Sequence, residues 1–199
     1  MSLRSPAMPS RIEAAIRGNP VIASVLENWS QVALPECWLV AGIVVQSYWN
    51  AEHGLSPLHG VSDVDLVYFD ADDLTESSES RHANRINALF ADLDVHFDVK
   101  NEARVHLWYE QRFGYAIGAY ASAEAAIETF PTTAGSIGIR PVGSHLEAFA
   151  PFGFDDLLNL VVRANKRQIT PEIYAAKVER WRAIWPRLDI KRWDEEAAL

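Results

Sequence analysis

The sequence predicts an α/β or α+β domain followed by a helical C-terminal segment, and three observations predict it. Val64 to Phe69 is dense in branched and aromatic residues, the composition of a buried strand. Asp94 to Lys100 alternates, with Val95, Phe97 and Val99 on one face and His96, Asp98 and Lys100 on the other. Between and after these runs, cap signals open helices, so strands alternate with helices over the first three quarters of the chain and helices close it.

Taken in order, Asn19-Pro20 places a capping side chain before a proline at the first helical position, so a helix covers 20–29. Cys37 to Ala41 reads as a buried strand that stops at Gly42, and residues 43–50 as a short helix. Gly54, Pro57 and Gly60 mark a loop before the strand at Val64. Asp73-Leu-Thr-Glu76 has a capping acid with glutamate three positions on, opening a helix to about Phe90. Asn101 caps a helix through Tyr109, Ser122 starts another to about Thr129, and Ser136 to Arg140 is a short strand. Phe154 to Arg163 reads as helical, and Thr170-Pro171-Glu172 opens the last long helix. We divide the chain into a core over 20–150 and a C-terminal helical segment, 151–199, packed on it.

Composition narrows the function. The single cysteine, Cys37, excludes an internal disulfide framework and a multi-cysteine zinc cluster, and suits a reducing cytoplasm. The longest apolar run, Cys37 to Val45, is nine residues, against roughly 20 for a membrane span. No apolar stretch accompanies Arg4, Arg11, Glu13 and Arg17, so neither a secretory signal nor a membrane partner is expected. A net charge of −9 argues against a protein that coats nucleic acid. That charge is uneven: residues 1–162 hold 21 acidic and 9 basic side chains, while 163–192 hold 9 basic and 3 acidic. The basic segment reads either as an anion-binding tail or as the solvated face of C-terminal helices. Trp181 and Trp185, one helical turn apart, favour the second.

The informative segment is Ser62-Asp-Val-Asp-Leu-Val-Tyr-Phe69. Side chains at i and i+2 share a strand face, so Asp63 and Asp65 point the same way. Two such charges 4 Å apart repel by about 4 kcal/mol at an effective dielectric near 20. No Lys or Arg lies between Arg17 and Arg81 to relieve them. A hard divalent cation would, magnesium or manganese rather than zinc. Asp98, on the polar face of the second strand, adds a third carboxylate if the two strands pair. Upstream, Trp38-Leu-Val-Ala-Gly42 turns a strand into a helix whose first N–H groups are free for an anion. An anion site beside a carboxylate patch suits a metal-chelated nucleoside triphosphate.

These residues carry a resemblance. The order strand-Gly-helix, Asp-x-Asp and a third acid on a following strand resembles the nucleotidyltransferase superfamily that includes DNA polymerase β. Five blocks in order make the likeness more specific: Trp38-Leu-Val-Ala-Gly-Ile-Val44, Ser62 to Asp70, Val99 to His106, Ser136-Ile-Gly-Ile-Arg140 and Ala150-Pro-Phe-Gly-Phe-Asp-Asp-Leu157. Together they resemble a bacterial nucleotidyltransferase-like family of about this length, over roughly residues 20–190. The resemblance implies an α+β fold, a nucleotidyltransferase-type mixed β-sheet with flanking helices. It implies metal-dependent transfer of a nucleoside monophosphate from a nucleoside triphosphate to an acceptor hydroxyl on a small molecule, a protein or an RNA end. Asp63, Asp65 and Asp98 are then the catalytic and metal-ligating acids, with Mg2+ or Mn2+ as cofactor. Gly42, Ile43, Ser62, Lys100 and Arg104 are the candidate nucleotide contacts. Three positions depart from the family pattern. Ile43 stands where the superfamily has a second small residue, and Val45 and Gln46 stand where the closer family carries Arg-Asn. These departures favour an alternative, a non-catalytic nucleotide- and metal-binding module or a protein-interaction module on the same fold.

Overall fold

Two chain segments of opposite character, an acidic strand and a basic helix, are brought together by a five-stranded mixed sheet and its flanking helices in the computed structural model, which describes residues 7–195. Arg4 lies outside that range, as does the end of the 151–199 segment. The chain begins with α1 (Ser10–Arg17), α2 (Pro20–Glu27) and α3 (Trp29–Val32). At α2 the Asn19 carboxamide oxygen accepts from the amides of Val21 and Ile22, the cap expected from the Asn-Pro pair. Strand β1 (Trp38–Val40) leads into α4 (Gly42–His53), and β2 (Asp63–Tyr68) follows. Helix α5 (Glu76–Leu89) crosses to β3 (His96–Asn101). Thr75, not Asp73, caps α5, because its hydroxyl accepts from the Ser78 amide while the Asp73 carboxylate is spent on Thr75.

A 3-10 turn at Glu102–Arg104 then precedes α6 (His106–Phe113), so Asn101 caps that turn rather than one continuous helix. Next come α7 (Ala123–Ile127) and the hairpin of β4 (Gly138–Val142) and β5 (His145–Phe149). The last part of the chain holds α8 (Asp155–Leu158), β6 (Val161–Val162), α9 (Pro171–Ile184) and β7 (Asp189–Ile190). The expected helix from Phe154 to Arg163 is therefore only one turn. It breaks at Leu160, whose φ is +57°, and the chain continues as a strand paired with β7.

The sheet order is β3-β2-β1-β4-β5, with β2 parallel to β3 and antiparallel to β1. The register sets the two faces. Val64, Leu66, Phe97 and Val99 lie on the face that packs into the main core with Ile43, Val44 and Ile86. On the other face Asp63 lies beside His96, Asp65 beside Asp98, and Val67 beside Lys100. This second face is covered at one end by Ala123 and Ile127 of α7, packed on Trp38, Val40 and Val67. Gly138 permits that closure, since a Cβ there would stand 3.0 Å from Ile127 and 3.2 Å from Trp38. The acidic end is left uncovered by this cluster. Helix α9 is fixed against α4: Trp49 packs on Trp181 and Trp185 at ring separations of 5.0 and 5.2 Å, and the Trp185 indole donates to Asn50 at 2.7 Å. Among the described residues no helix is long and apolar enough to cross a membrane.

Candidate active site

The acid pair sits where strand propensity and burial compete. Val64 and Leu66 must enter the core, so the period-2 alternation forces Asp63 and Asp65 to the opposite face. Asp63 is exposed and accepts from the Ser62 hydroxyl at 2.8 Å. Asp65 is half-buried, and its carboxyl is pushed up to about 7, first by burial and then by the charges of Asp63 and Asp98. Lys177 and Lys100 oppose that rise without cancelling it.

Asp65 lines a cavity of about 220 Å³ together with Gly42, Lys100, Glu102, Thr132 and Lys177. Gly42 opens α4 against it: a Cβ there would stand 3.6 Å from Asp65 Oδ2. The residue before it, Ala41, has φ +51° and ψ −117°, a conformation that L-residues avoid. It is held by its amide donating to Ile137 and its carbonyl accepting from Val44 and Val45. The Gly42 and Ile43 N–H groups that open α4 precede its first hydrogen bond to the Ala41 carbonyl and lie at its positive dipole end. Lys177, from the middle of α9, is half-buried; burial lowers its pKa, Asp65 partly restores it, and its ammonium lies 5.1 Å from the Trp181 ring centre. The Trp181 indole N–H is itself buried without an acceptor.

The structure brings Asp63, Asp65 and Asp98 to one face of adjacent strands, but Asp98 is ion-paired to Lys100 at 2.9 Å. Among the described residues no group of three His, Cys, Asp or Glu side chains is gathered closely enough to hold a metal ion. The donor chemistry still fits a hard divalent cation. All three candidates are carboxylates, and Asp63 and Asp98 add to the rise that burial gives the Asp65 pKa.

The expected nucleotide contacts divide. Gly42 and Lys100 line the cavity. Ile43 is fully buried in the core, so only its backbone faces the helix start. Ser62 is exposed beside Asp63. Arg104 is a correction: only 8% exposed, its guanidinium binds Glu79 at 2.7 Å and the Leu74 carbonyl at 3.1 Å, which removes it from the cavity. Trp49 and Tyr68 are core residues and line neither the acid patch nor its cavity. In the basic segment Arg163 pairs with Asp156, Arg167 with Glu128 and Lys191 with Asp189, while Arg187 donates to the Glu52 carbonyl. Sequence reasoning missed Lys177 as a site residue and missed Glu102, which is 7% exposed and whose carboxyl is pushed up to about 8 by burial, with Glu79 adding to it. Helical spacing does put Lys177 one turn before Trp181, but nothing local ties either to Asp65.

Comparison with known proteins assigns the fold and family. A solved NMR structure, described as revealing a CCA-adding enzyme head domain, superposes with a TM-score of 0.76, covering 96% of this chain and 100% of that chain at 22% identity. At that identity the likeness concerns the fold, the mixed-sheet nucleotidyltransferase architecture. Among curated proteins, none matches the sequence. The family profile described as Nucleotidyltransferase matches residues 27–190, from the end of α2 to β7, and the chain belongs to that nucleotidyltransferase family.

Proposed function

We propose that the protein transfers a nucleoside monophosphate from a nucleoside triphosphate to an acceptor hydroxyl, releasing pyrophosphate, with Mg2+ or Mn2+ bound by Asp63 and Asp65 and, once it leaves Lys100, by Asp98. The observation that carries the reading is Asp65. It is a half-buried carboxyl pushed up to about 7, in a cavity that also presents a helix N-terminus and Lys177. Held by these carboxylates, a divalent cation would neutralise the phosphates and lower the pKa of the acceptor hydroxyl. The α4 N-terminus at Gly42 and the Lys177 ammonium receive the anionic phosphates. Lys100 offers a second cation once it parts from Asp98. The acceptor oxygen forms a bond to the α-phosphorus as the bond from that phosphorus to the bridging oxygen breaks. The acceptor proton would pass to a carboxylate of the set, Asp98 where it does not ligate the metal, and pyrophosphate carries away the electron pair. Positioning and electrostatics supply most of the acceleration in such a displacement.

The test is pyrophosphate release over a panel of hydroxyl acceptors (small molecules, proteins and RNA ends) with each triphosphate. Asp63→Asn and Asp65→Asn should each lower the rate by about 100-fold or more with the fold intact. Full activity of either variant at matched magnesium would refute the assignment. A second reading, a nucleotide-binding module without transfer, is favoured by the Asp98–Lys100 ion pair. It predicts triphosphate binding with no pyrophosphate release from any acceptor.

A further inference from the structure

Glu102 opens the turn after β3 and lines the cavity that holds Gly42, Asp65 and Lys177. It also lines a second cavity of about 220 Å³, walled by Tyr109 and Tyr120, so it stands where the two meet. The residue is 7% exposed and makes no hydrogen bond or ion pair among the described residues. Its neighbours leave a charge there without relief. Lys100 of β3 is the cation that favours ionisation, but it is already paired with Asp98 at 2.9 Å. Arg104 is paired with Glu79 of α5 at 2.7 Å, and Lys177 of α9 answers Asp65. Glu79, Asp65 of β2 and Asp98 of β3 all add negative charge around it. The Tyr109 hydroxyl meets that of Tyr115, and the Tyr120 hydroxyl meets Thr129 and Gln168. Burial first, then Glu79, push the Glu102 carboxyl up to about 8, so it keeps its proton at neutral pH. A buried carboxyl in that state has an O–H to donate and requires an acceptor. Nothing in the chain accepts it. In the first cavity the acceptor that fits is an anionic oxygen, because the start of α4 at Gly42 and the Lys177 ammonium already favour one. An O–H bonded to such an oxygen makes a short, strong hydrogen bond. Ionised, the same carboxyl would repel it.

We propose that Glu102 works as a neutral carboxylic acid whose O–H donates to a phosphate oxygen of the bound triphosphate, and that its ionisation drives the ligand out. A glutamine there would donate at every pH; a carboxyl donates only while it holds its proton, which makes binding fall on the alkaline side. The inference rests on the nucleotidyl-transfer reading and adds to it a further phosphate-binding residue and a pH dependence of affinity.

The experiment is calorimetry in magnesium with ATP, CTP, GTP and UTP at pH 7, 8 and 9, on the wild-type chain, Glu102→Gln and Glu102→Ala. For each triphosphate that binds, wild-type affinity should fall by about tenfold from pH 7 to pH 9 as the neutral share of Glu102 drops. Glu102→Ala should bind about tenfold more weakly than wild type at pH 7, the loss of one hydrogen bond to a charged group. Glu102→Gln should restore most of that loss through its amide N–H, and at pH 9 should bind about tenfold more tightly than wild type. Lys177 also moves toward its neutral form as pH rises, but a fall that it causes appears in wild type and Glu102→Gln alike. A wild-type affinity that stays level from pH 7 to 9, or an equal fall in Glu102→Gln, overturns the role of Glu102 while leaving triphosphate binding in place. Failure of all four triphosphates to bind at any of these pH values overturns the transfer reading, and this inference with it. The wild-type pH series needs no variant, so poor folding of a Glu102 variant cannot shield the proposal.

Discussion

Replacing Asp65 by asparagine should stabilise the protein at pH 8 and change little at pH 4.5. The carboxyl titrates at 3.8 in an open chain and is pushed up to about 7 in the fold, by burial first and then by Asp63 and Asp98. The folded state therefore holds this proton more tightly than the unfolded state. The cost of ionising Asp65 is absent below pH 4, grows as pH rises through 4 to 7, and is fully present above 7. At about 1.4 kcal/mol for each tenfold change, the ceiling is about 4 kcal/mol. Solvent reaching a half-buried carboxylate brings the expected gain at pH 8 to about 2 kcal/mol, a rise in melting temperature of about 4–8 °C for a chain of this length. Attraction to Lys177 and Lys100 already opposes the rise in that value, so it is not subtracted again. Urea midpoints of wild type and Asp65→Asn at pH 4.5 and 8 give the comparison directly. Magnesium supplies a second arm. At pH 8 it should raise the wild-type midpoint and raise that of the variant less, because the variant has no excess charge at position 65 to neutralise. A variant no more stable than wild type at pH 8, or a difference that stays constant between the two pH values, would refute the electrostatic account of the site.

Two further outcomes test the frame around it. Arg104→Met leaves the Glu79 carboxylate buried with only the Asn101 amide as a partner, and should cost about 3 kcal/mol by urea denaturation; a near-neutral result would mean that the pair does not hold α5 to the turn after β3. Cys37 is buried in front of β1 and its thiol is pushed up to about 12, so an aromatic disulfide reagent at pH 8 should react only as fast as the protein unfolds. Rapid reaction of the native chain would contradict that burial.

The parts of the fold that sequence reveals are those fixed by local chemistry. Asn19 before Pro20, the alternation through Phe97 and Val99, and Thr170 before Pro171 each determine a cap or a face within a few residues, and the corresponding elements form there. The parts that escape are fixed by partners far along the chain. Strands β6 and β7 are two residues each and exist because Val161 and Asp189 find one another; in isolation the apolar spacing after Phe154 reads equally well as helix. The same division runs through the site. Asp63 and Asp65 are legible because strand period alone puts them on one face. Arg104 sits near Asp98 in sequence, yet the 3-10 turn carries its guanidinium to Glu79 on α5, a residue 25 positions earlier. Lys177 reaches Asp65 only through the Trp49–Trp181–Trp185 contact that seats α9, and no window of sequence contains both partners.

Three unfavourable features meet in one cavity: a backbone at Ala41 in a conformation that costs roughly 1–3 kcal/mol, a carboxyl at Asp65 crowded by two others, and a lysine at 177 whose charge is disfavoured by burial. Stability alone would favour removing each of them, with glycine at 41, asparagine at 65 and a neutral residue at 177. Under the proposed transfer reading, each would be relieved by a different part of one ligand. An anionic phosphate answers Lys177 and the N–H groups that the Ala41 turn presents at Gly42, and its counter-cation answers Asp65. Because Gly42, Lys177 and Asp65 line one cavity, a cation and an anion bound there would lie adjacent, as they do in a metal-chelated triphosphate. An isolated phosphate site would leave Asp65 repelling its ligand, and an isolated cation site would leave Lys177 doing the same. A ligand carrying both charges would satisfy the set, so under the proposed transfer reading the crowding of Asp65 that weakens the protein would also be the feature that favours binding.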